Sequence, residues 1–253
     1  MAITHKVFLF WLLYIVVVLV GWGFLFYLGL PQIALSHDHS YLTVVLLGLY
    51  LVAEVLSGRQ AWFISKENKI ADDVIHWFAN NKLIDTQIDD RGEVVLIPEH
   101  TAENSLQTGY IVPPSAMADH FSLLTVKANA GQRKIRQNTI IEVTADRLYE
   151  QASAAEFIAA RIVWIGILAT ILGVIIAFWP MIGAATIDAM KSNIGGFFGG
   201  IAIAFIPTAV SFVFKIVLDF NGWIVSRGVQ SLIDKIACVS ETDVLPVIDH
   251  EDL

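Results

Sequence analysis

Two hydroxyl side chains, Thr170 and Thr208, each lie in the middle of a long apolar segment. Each threonine belongs to a row of small residues spaced three or four positions apart, which places the row on one face of a helix. The two rows are Gly166, Thr170, Gly173 and Ala177, and Gly196, Gly200, Ala204, Thr208 and Ser211. Small residues let helices approach closely in lipid, and a hydroxyl at that depth can line a narrow polar path. Neither segment has a titratable side chain at mid-depth, so a proton would need a carrier from elsewhere.

Two neighbours of Thr208 add polar groups to the same helix. Pro207 has no N–H, so it leaves the carbonyl of Ile203 without its helical hydrogen bond and kinks the helix. That carbonyl could join Thr208 in the polar path. Ser211 adds another hydroxyl on the face of Thr208. The alternative for both rows is ordinary close packing between membrane helices, with each threonine bonded to its own helix backbone.

Three further groups of polar residues have a structural and a functional interpretation. Lys215 and Asp219 lie four apart, as in a helix-surface ion pair, and are also a candidate cytoplasmic exit for protons. Glu54 is either a partner between helices or part of a proton relay. Two histidines flank an aspartate at residues 37–39, but one short loop seldom completes a metal site, so we predict no metal and no cofactor.

Composition indicates a membrane protein, since 56% of the 253 residues are hydrophobic and only 16% are charged. Four stretches approach the length needed to cross a bilayer, and the second is the shortest. They are Val7 to Leu30, Tyr41 to Leu56, Ile162 to Ile182 and Gly195 to Leu218. The first is too long for a cleavable signal peptide and lacks a cleavage site after it, so we expect a retained anchor.

The distribution of lysine and arginine predicts the orientation of these four segments. The connection 31–40 has none, whereas Arg59, Lys66 and Lys69 follow the second segment and Arg161 precedes the third. By the positive-inside rule, both termini and the long segment between the second and third spans lie in the cytoplasm.

Several function classes are disfavoured by the sequence. The net charge of −8 and the acidic stretches at 85–90 and 243–253 argue against nucleic-acid binding. The single cysteine, Cys238, excludes an internal disulfide and a cysteine-rich metal site. We find no nucleophile–base pair, metal motif or phosphate-binding glycine loop on a consistent face, so we do not expect an enzyme.

The predicted fold class is mainly α, with four transmembrane helices and a small cytoplasmic helix-plus-strand domain between helices 2 and 3. We divide the chain into peripheral helices 1–57, a cytoplasmic domain 58–143, long helices 144–239 that include the pore-lining pair, and an acidic tail 240–253. The expected local elements are a helix from Gly58 to about Lys82, a turn at 90–92, strands Glu93–Ile97 and Gln137–Val143, and a helix from Thr144 or Asp146 that continues unbroken into the third span. The last helix is expected to end near Val239.

Two segments resemble motifs of the MotA/TolQ/ExbB proton-channel family. Residues 165–173 read IGILATILG with Phe178 five residues on, and are similar to the family's G-L-L-G-T-V-x-G pattern followed by Phe. Residues 200–209 read GIAIAFIPTA and are similar to G-I-A-x-A-L-x-x-T-A. The resemblance covers about fifty residues. The chain departs from the pattern at Ala169 and Ser211, which replace glycines, and at Ile203, where TolQ- and ExbB-like chains commonly have glutamate.

The resemblance implies a bacterial inner-membrane ring subunit, commonly in a homopentamer, around a single-span MotB/TolR/ExbD-like partner whose membrane aspartate carries the proton. It implies that Thr170 and Thr208 face the pore, with Ala204 beside them and Gly173 giving room for the partner helix. From the residues of this chain we add Ser211 and Pro207 to the expected ion pathway, and Gly166, Ala177 and Gly200 to the expected packing on the partner helix. The ion is expected to be H+, with Na+ left open, and the flow is expected to drive rotation. The alternative from another class is a non-conducting scaffold of an envelope complex.

Overall fold

The structure is a computed structural model and describes residues 5–29, 31–32, 41–99, 109–130, 137–182 and 186–248. The helices are α1 Lys6–Tyr27, α2 Leu42–Asn80, α3 Ala116–Asn129, α4 Gln137–Ala152, α5 Ala154–Ile182, α6 Ile187–Val239 and α7 Leu245–Ile248. The strands are β1 Leu83–Ile88, β2 Val94–Pro98 and β3 Tyr110–Ile111, and a π-helical turn at Ser240–Val244 joins α6 to α7. The chain is mainly helical with one small sheet, as predicted.

Four helices, α1, α2, α5 and α6, are long and apolar enough to cross a membrane. They contain the third and fourth predicted apolar segments and nearly all of the first two. Leu28 and Gly29 form a turn after α1, Tyr41 directly precedes α2, and Leu30 lies outside the described residues. Helix α2 continues beyond its apolar part to Asn80, and α6 continues to Val239, as the sequence predicts. The expected existence of four long apolar helices is thus confirmed.

Two predictions about the segment before α5 are wrong. Residues Gln137–Val143 were expected as a strand, but they open α4, in which Ile140, Thr144, Leu148 and Ala152 are buried at four-residue steps. That period belongs to a helix packed along one face, so tertiary packing outweighs the local strand preference. The helix expected to run unbroken into the third span instead stops at Ala152, and α5 begins after Ser153. Serine favours the N-cap position over a helix interior.

The predicted turn and strand around Gly92 are confirmed, with β2 shifted by one residue to end at Pro98. One carboxylate oxygen of Asp89 accepts the backbone N–H groups of Arg91 and Glu93 at 2.9 and 2.8 Å, and Gly92 adopts a positive φ of 78°. This turn joins β1 to β2 in an antiparallel pair, and β3 pairs with the other edge of β2. Strand β1 and helix α3 were not predicted.

Contacts along the chain divide it into two compact units. The sheet unit comprises Met1–Phe8, Gln60–Ala152 and Val225–Leu253, and the bundle unit comprises Leu9–Arg59 and Ser153–Ile224. In the sheet unit, α3 and α7 pack on the strands. Its buried side chains include Leu96 of β2, Phe121 and Leu124 of α3, and Val244 just before α7.

A buried amide ties two helical stretches of the sheet unit together. The side-chain nitrogen of Asn68 donates to the carbonyls of Ile64 and Gly228, at 3.1 and 3.0 Å. Its oxygen accepts from Lys235 Nζ at 3.0 Å, and Lys235 also pairs with Asp72 at 2.7 Å. Every hydrogen-bonding group of the amide therefore has a partner on the residues around it, which is what a buried amide requires.

The bundle unit has its own apolar core, built by α2, α5 and α6. The core residues are Leu46, Tyr50, Ala53, Ala159, Ile162, Phe214 and Leu218. Helix α1 has no buried residue and contributes Trp22, whose ring lies 5.6 Å from that of Phe214. The bundle unit therefore contains α5 and α6, and with them both rows of small residues.

Candidate functional site: a hydroxyl pair between two apolar helices

The two small-residue rows pack directly against each other. A Cβ added to Gly173 would collide with the backbone nitrogen of Ala204, and one added to Gly200 would collide with the backbone nitrogen of Ala177. Only glycine permits backbones this close, so these two positions fix the approach of α5 to α6. The rows run in opposite directions, with Gly166 beside Ser211 at one end and Ala177 beside Gly200 at the other.

The two predicted threonines meet in the middle of this contact. Their side-chain oxygens lie 2.5 Å apart, which is a hydrogen bond in which either hydroxyl could donate. Two backbone carbonyls complete the cluster. Thr208 Oγ1 lies 2.6 Å from Gly166 O and 3.0 Å from Ala204 O, while Thr170 Oγ1 lies 3.2 Å from Ala204 O and 3.4 Å from Gly166 O.

Counting donors shows what this cluster can do. Each hydroxyl has one proton and two lone pairs. The two threonines therefore have two protons to donate, and three acceptors are available: the carbonyls of Gly166 and Ala204 and the hydroxyl oxygen of the other threonine. The shortest arrangement has Thr170 donating to Thr208 and Thr208 donating to Gly166 O. Lone pairs then remain on both hydroxyls, and both side chains are half-buried in the bundle unit. The cluster is therefore able to accept a further hydrogen bond from a neutral donor.

Ser211 and Pro207 take different positions from the threonine pair. Ser211 is fully buried, and its hydroxyl donates to the carbonyl of Thr208 at 2.8 Å. Pro207 is buried inside α6, and its ring removes the N–H that would have bonded to Ile203 O. The carbonyls that Thr208 contacts are those of Gly166 and Ala204, and the place of the Ile203 carbonyl in a polar path stays a prediction. Of the four predicted pathway residues, the structure brings Thr170 and Thr208 side by side.

The five residues expected to pack on a partner helix all lie in the α5–α6 contact of one chain. They are Gly166, Gly173, Ala177, Gly200 and Ala204, and all five are buried. The surface of this helix pair consists of exposed apolar side chains, including Ile171, Phe205 and Phe212. That composition suits contact with lipid or with other apolar helices.

Comparison with protein-family models, with curated proteins and with solved structures finds no match. The likeness to the MotA/TolQ/ExbB family therefore stands on the two short motifs alone.

The predicted exit residues form a local ion pair near the end of the apolar part of α6. Lys215 Nζ contacts the carboxylate of Asp219, with the lysine side chain 30% exposed and the aspartate 54% exposed. An exposed pair at this spacing contributes little to stability. Both side chains lie at the surface of the bundle unit.

Asn221 of α6 donates a hydrogen bond to Glu54 of α2, with 2.8 Å between Nδ2 and Oε2. This polar pair was not predicted from the sequence. Asn221 is fully buried, and it lies just beyond the stretch predicted as the fourth span. The only sequence signal was one carboxylate in an otherwise uncharged apolar segment. In the residues that the structure describes, no cluster of three metal-ligating side chains is found, and residues 37–39 lie outside them.

Proposed function

We propose that this chain is the ring-forming subunit of an ion-driven motor in the bacterial inner membrane, with both termini in the cytoplasm. Five copies surround a single-span MotB/TolR/ExbD-like partner, and an aspartate on that partner carries the proton past the threonine pair. Passage of H+ turns the ring relative to the partner, which performs mechanical work on an envelope component. Na+ remains the alternative ion, and the proposed role is not enzymatic.

One observation carries the proposal, namely the hydroxyl pair of Thr170 and Thr208 at the middle of two apolar helices. An ionised carboxylate at mid-bilayer costs roughly 2.5 kcal/mol or more, so a carrier aspartate has to cross protonated. A protonated carboxyl needs an acceptor for its O–H, and the free lone pairs of the two hydroxyls supply one. At mid-depth, the two apolar segments around them hold no titratable side chain that would trap the proton.

The proposed route continues from this pair towards the cytoplasm. Lys215 lies seven residues after Thr208 and Asp219 eleven, about two and three turns along α6. A carboxylate at that position could accept a proton released by the carrier, since its side chain is exposed at the surface of the bundle unit. The proposal therefore assigns the threonine pair to passage and the Lys215–Asp219 pair to exit.

A second candidate, a non-conducting scaffold, is favoured by a different feature of the same contact. The five residues expected to pack on a partner helix are all used within one chain, and each threonine hydroxyl also lies near carbonyls of Gly166 and Ala204. Such bonds are the common use of threonine in membrane helices. A scaffold would need this packing and no ion path.

The two candidates separate in one experiment. The full chain is co-expressed with the single-span protein encoded beside its gene, purified in detergent and imaged by cryo-electron microscopy. A five-fold ring enclosing one or two foreign helices, with Thr170 and Thr208 facing them, supports the motor. A single subunit, or a ring with both threonines turned away from its axis, contradicts the motor and favours the scaffold.

A further inference from the structure

The carboxyl group of Glu54 lies in a largely apolar setting inside the bundle unit. It is the single charged residue in the apolar stretch 42–57 of α2. It also borders a cavity whose lining is otherwise mostly apolar and includes Leu47, Val55 and Phe214. Its Oε2 accepts the bond from Asn221, whereas its Oε1 is buried and has no hydrogen-bond partner.

The side-chain amide of Asn221 also has an oxygen without a hydrogen-bond partner. Its nitrogen donates to Glu54, but its oxygen Oδ1 is buried and likewise has no partner. The two side chains thus share one hydrogen bond and leave one acceptor oxygen unpaired on each side. Unpaired buried oxygens are rare in folded proteins, and two of them on one contacting pair call for a common explanation.

A single added proton gives both unpaired oxygens a hydrogen-bond partner. A carboxylic acid and a primary amide can bond through two parallel hydrogen bonds, in which the amide N–H donates to one carboxyl oxygen and the acid O–H donates to the amide oxygen. We propose that Glu54 and Asn221 form a buried proton-binding site, in which Glu54 carries a proton on Oε1 and donates it to Asn221 Oδ1. The N–H···O half of this ring is present at 2.8 Å.

The charges around the pair favour a bound proton over a bare carboxylate. Among the described residues, no lysine, arginine or histidine forms an ion pair with Glu54. From α6, Lys215 is already paired with Asp219. From α5, Glu156 lies against Gly222, since a Cβ at Gly222 would be 2.8 Å from Glu156 Oε1, and its carboxylate adds negative charge.

The remaining titratable neighbours are tyrosines and one exposed arginine. Tyr50, one turn before Glu54 on α2, lies close enough to the carboxyl group for its hydroxyl to be a competing hydrogen-bond donor, and Tyr14 on α1 also interacts with that group. Neither can supply a positive charge. Arg59 is exposed and lies five positions from Glu54, which places it on a different face of α2.

This inference concerns a bound proton only and does not depend on the motor proposal. The test is infrared spectroscopy of the full chain in lipid nanodiscs at neutral pH, comparing wild type with Glu54→Gln and Glu156→Gln. We expect the carbonyl band of a protonated carboxyl group in wild type and in Glu156→Gln, and its loss in Glu54→Gln. Spectra of wild type and Glu54→Gln that agree in this region would overturn the proposal.

Glu54→Gln is a close mimic of the protonated acid, because its amide nitrogen can donate to Asn221 Oδ1. If this variant does not accumulate, Asn221→Leu carries the test, since it removes both hydrogen bonds from the carboxyl group. We expect its band to shift in frequency relative to wild type, and an unshifted band would contradict the acid–amide pair. A wild-type band that appears only when Na+ is replaced by choline would show that Na+ displaces the proton, and would overturn a site that holds a proton while Na+ is present.

Discussion

Thr170 on α5 and Thr208 on α6 are hydrogen-bonded to each other through their side-chain oxygens, between the glycines at which the two helices approach closely. The contact is close because glycine lies beside the backbone of the opposite helix on both sides of the pair. The same residues that bring the backbones together therefore bring the hydroxyls together. A change at a glycine and a change at a threonine should consequently have different effects, the first on packing and the second on ion passage.

Replacing each threonine with valine tests ion passage with little change in shape. Thr208→Val removes the hydroxyl that is closest to Gly166 O, and interhelical bonds of this type in membranes average about 0.6 kcal/mol, so stability should change little. If the passing carboxyl loses a hydrogen bond of about 1.4 kcal/mol, proton flux falls roughly tenfold. Flux is measured with a pH-sensitive dye in proteoliposomes containing the chain and its single-span partner.

The matched control for this experiment is Thr208→Ser, which keeps the hydroxyl and removes a methyl group. We expect it to retain most of the flux, and Thr170→Val to lower flux as Thr208→Val does. Normal flux in the double variant Thr170→Val/Thr208→Val would eliminate the hydroxyl pair as part of an ion path and leave it a packing element.

Glycine substitutions in α5 and α6 test the helix contact itself. Gly173→Ala places a methyl group on the backbone nitrogen of Ala204, which cannot turn aside as a side chain could. Overpacking of this kind costs about 1–3 kcal/mol. Gly199→Ala is the matched control on α6, because nothing lies within 4 Å of the added Cβ. Thermal unfolding in detergent should show Gly173→Ala destabilised and Gly199→Ala unaffected, and equal melting temperatures would contradict the described contact.

The long helices were predictable because their signal is repeated over many residues. The apolar stretches of α5 and α6 and the three-to-four spacing of their small residues suffice to place Thr170 and Thr208 on packed faces. The element that packs on each face was not predictable. Spacing shows which face of a helix carries the small residues, but it does not show which other helix lies against that face. The structure uses these faces within one chain.

The shorter elements were harder to predict from the sequence than the long helices. The first half of α4, Gln137–Val143, was mistaken for a strand because Thr139, Ile140 and Ile141 have strand preference. The four-residue period of burial only becomes clear over the whole helix. Asn221 was missed because an isolated asparagine in a helix has no distinguishing pattern. Its role depends on Glu54, which is 167 residues away in the chain.

A buried histidine in the sheet unit gives a prediction about pH. The His120 side chain is fully buried, and burial lowers its pKa from 6.5 to about 4. Thr144 Oγ1 donates to Ile140 O and accepts from His120 Nδ1, which leaves Nε2 as the unprotonated nitrogen, buried without a partner. Protonation would place a positive charge and an unpaired donor in the core.

Since the pKa of His120 is lower in the folded chain than in the unfolded chain, the unfolded chain takes up the proton first as pH falls. The stabilising contribution is complete above about pH 6.5 and is lost as the pH falls towards 4, by about 3 kcal/mol in total. Thermal unfolding between pH 7.5 and 4.5 should show a smaller pH dependence in His120→Asn, which keeps a donor for Thr144. The exposed His76→Asn is the control and should follow wild type; identical pH profiles for all three proteins would refute the assignment.

The Lys215–Asp219 pair can be assigned to ion exit or to the helix surface by comparing flux with stability. Because both side chains are partly exposed, Asp219→Asn should change the free energy of unfolding by less than about 1 kcal/mol. If the carboxylate accepts protons leaving the pathway, the same variant should lower proton flux severalfold in the proteoliposome assay. The matched control is Asp188→Asn, which breaks the exposed pair with Lys191 near the other end of α6. Equal flux in the two variants would assign Lys215 and Asp219 to a surface ion pair, whereas loss confined to Asp219→Asn would place them on the route.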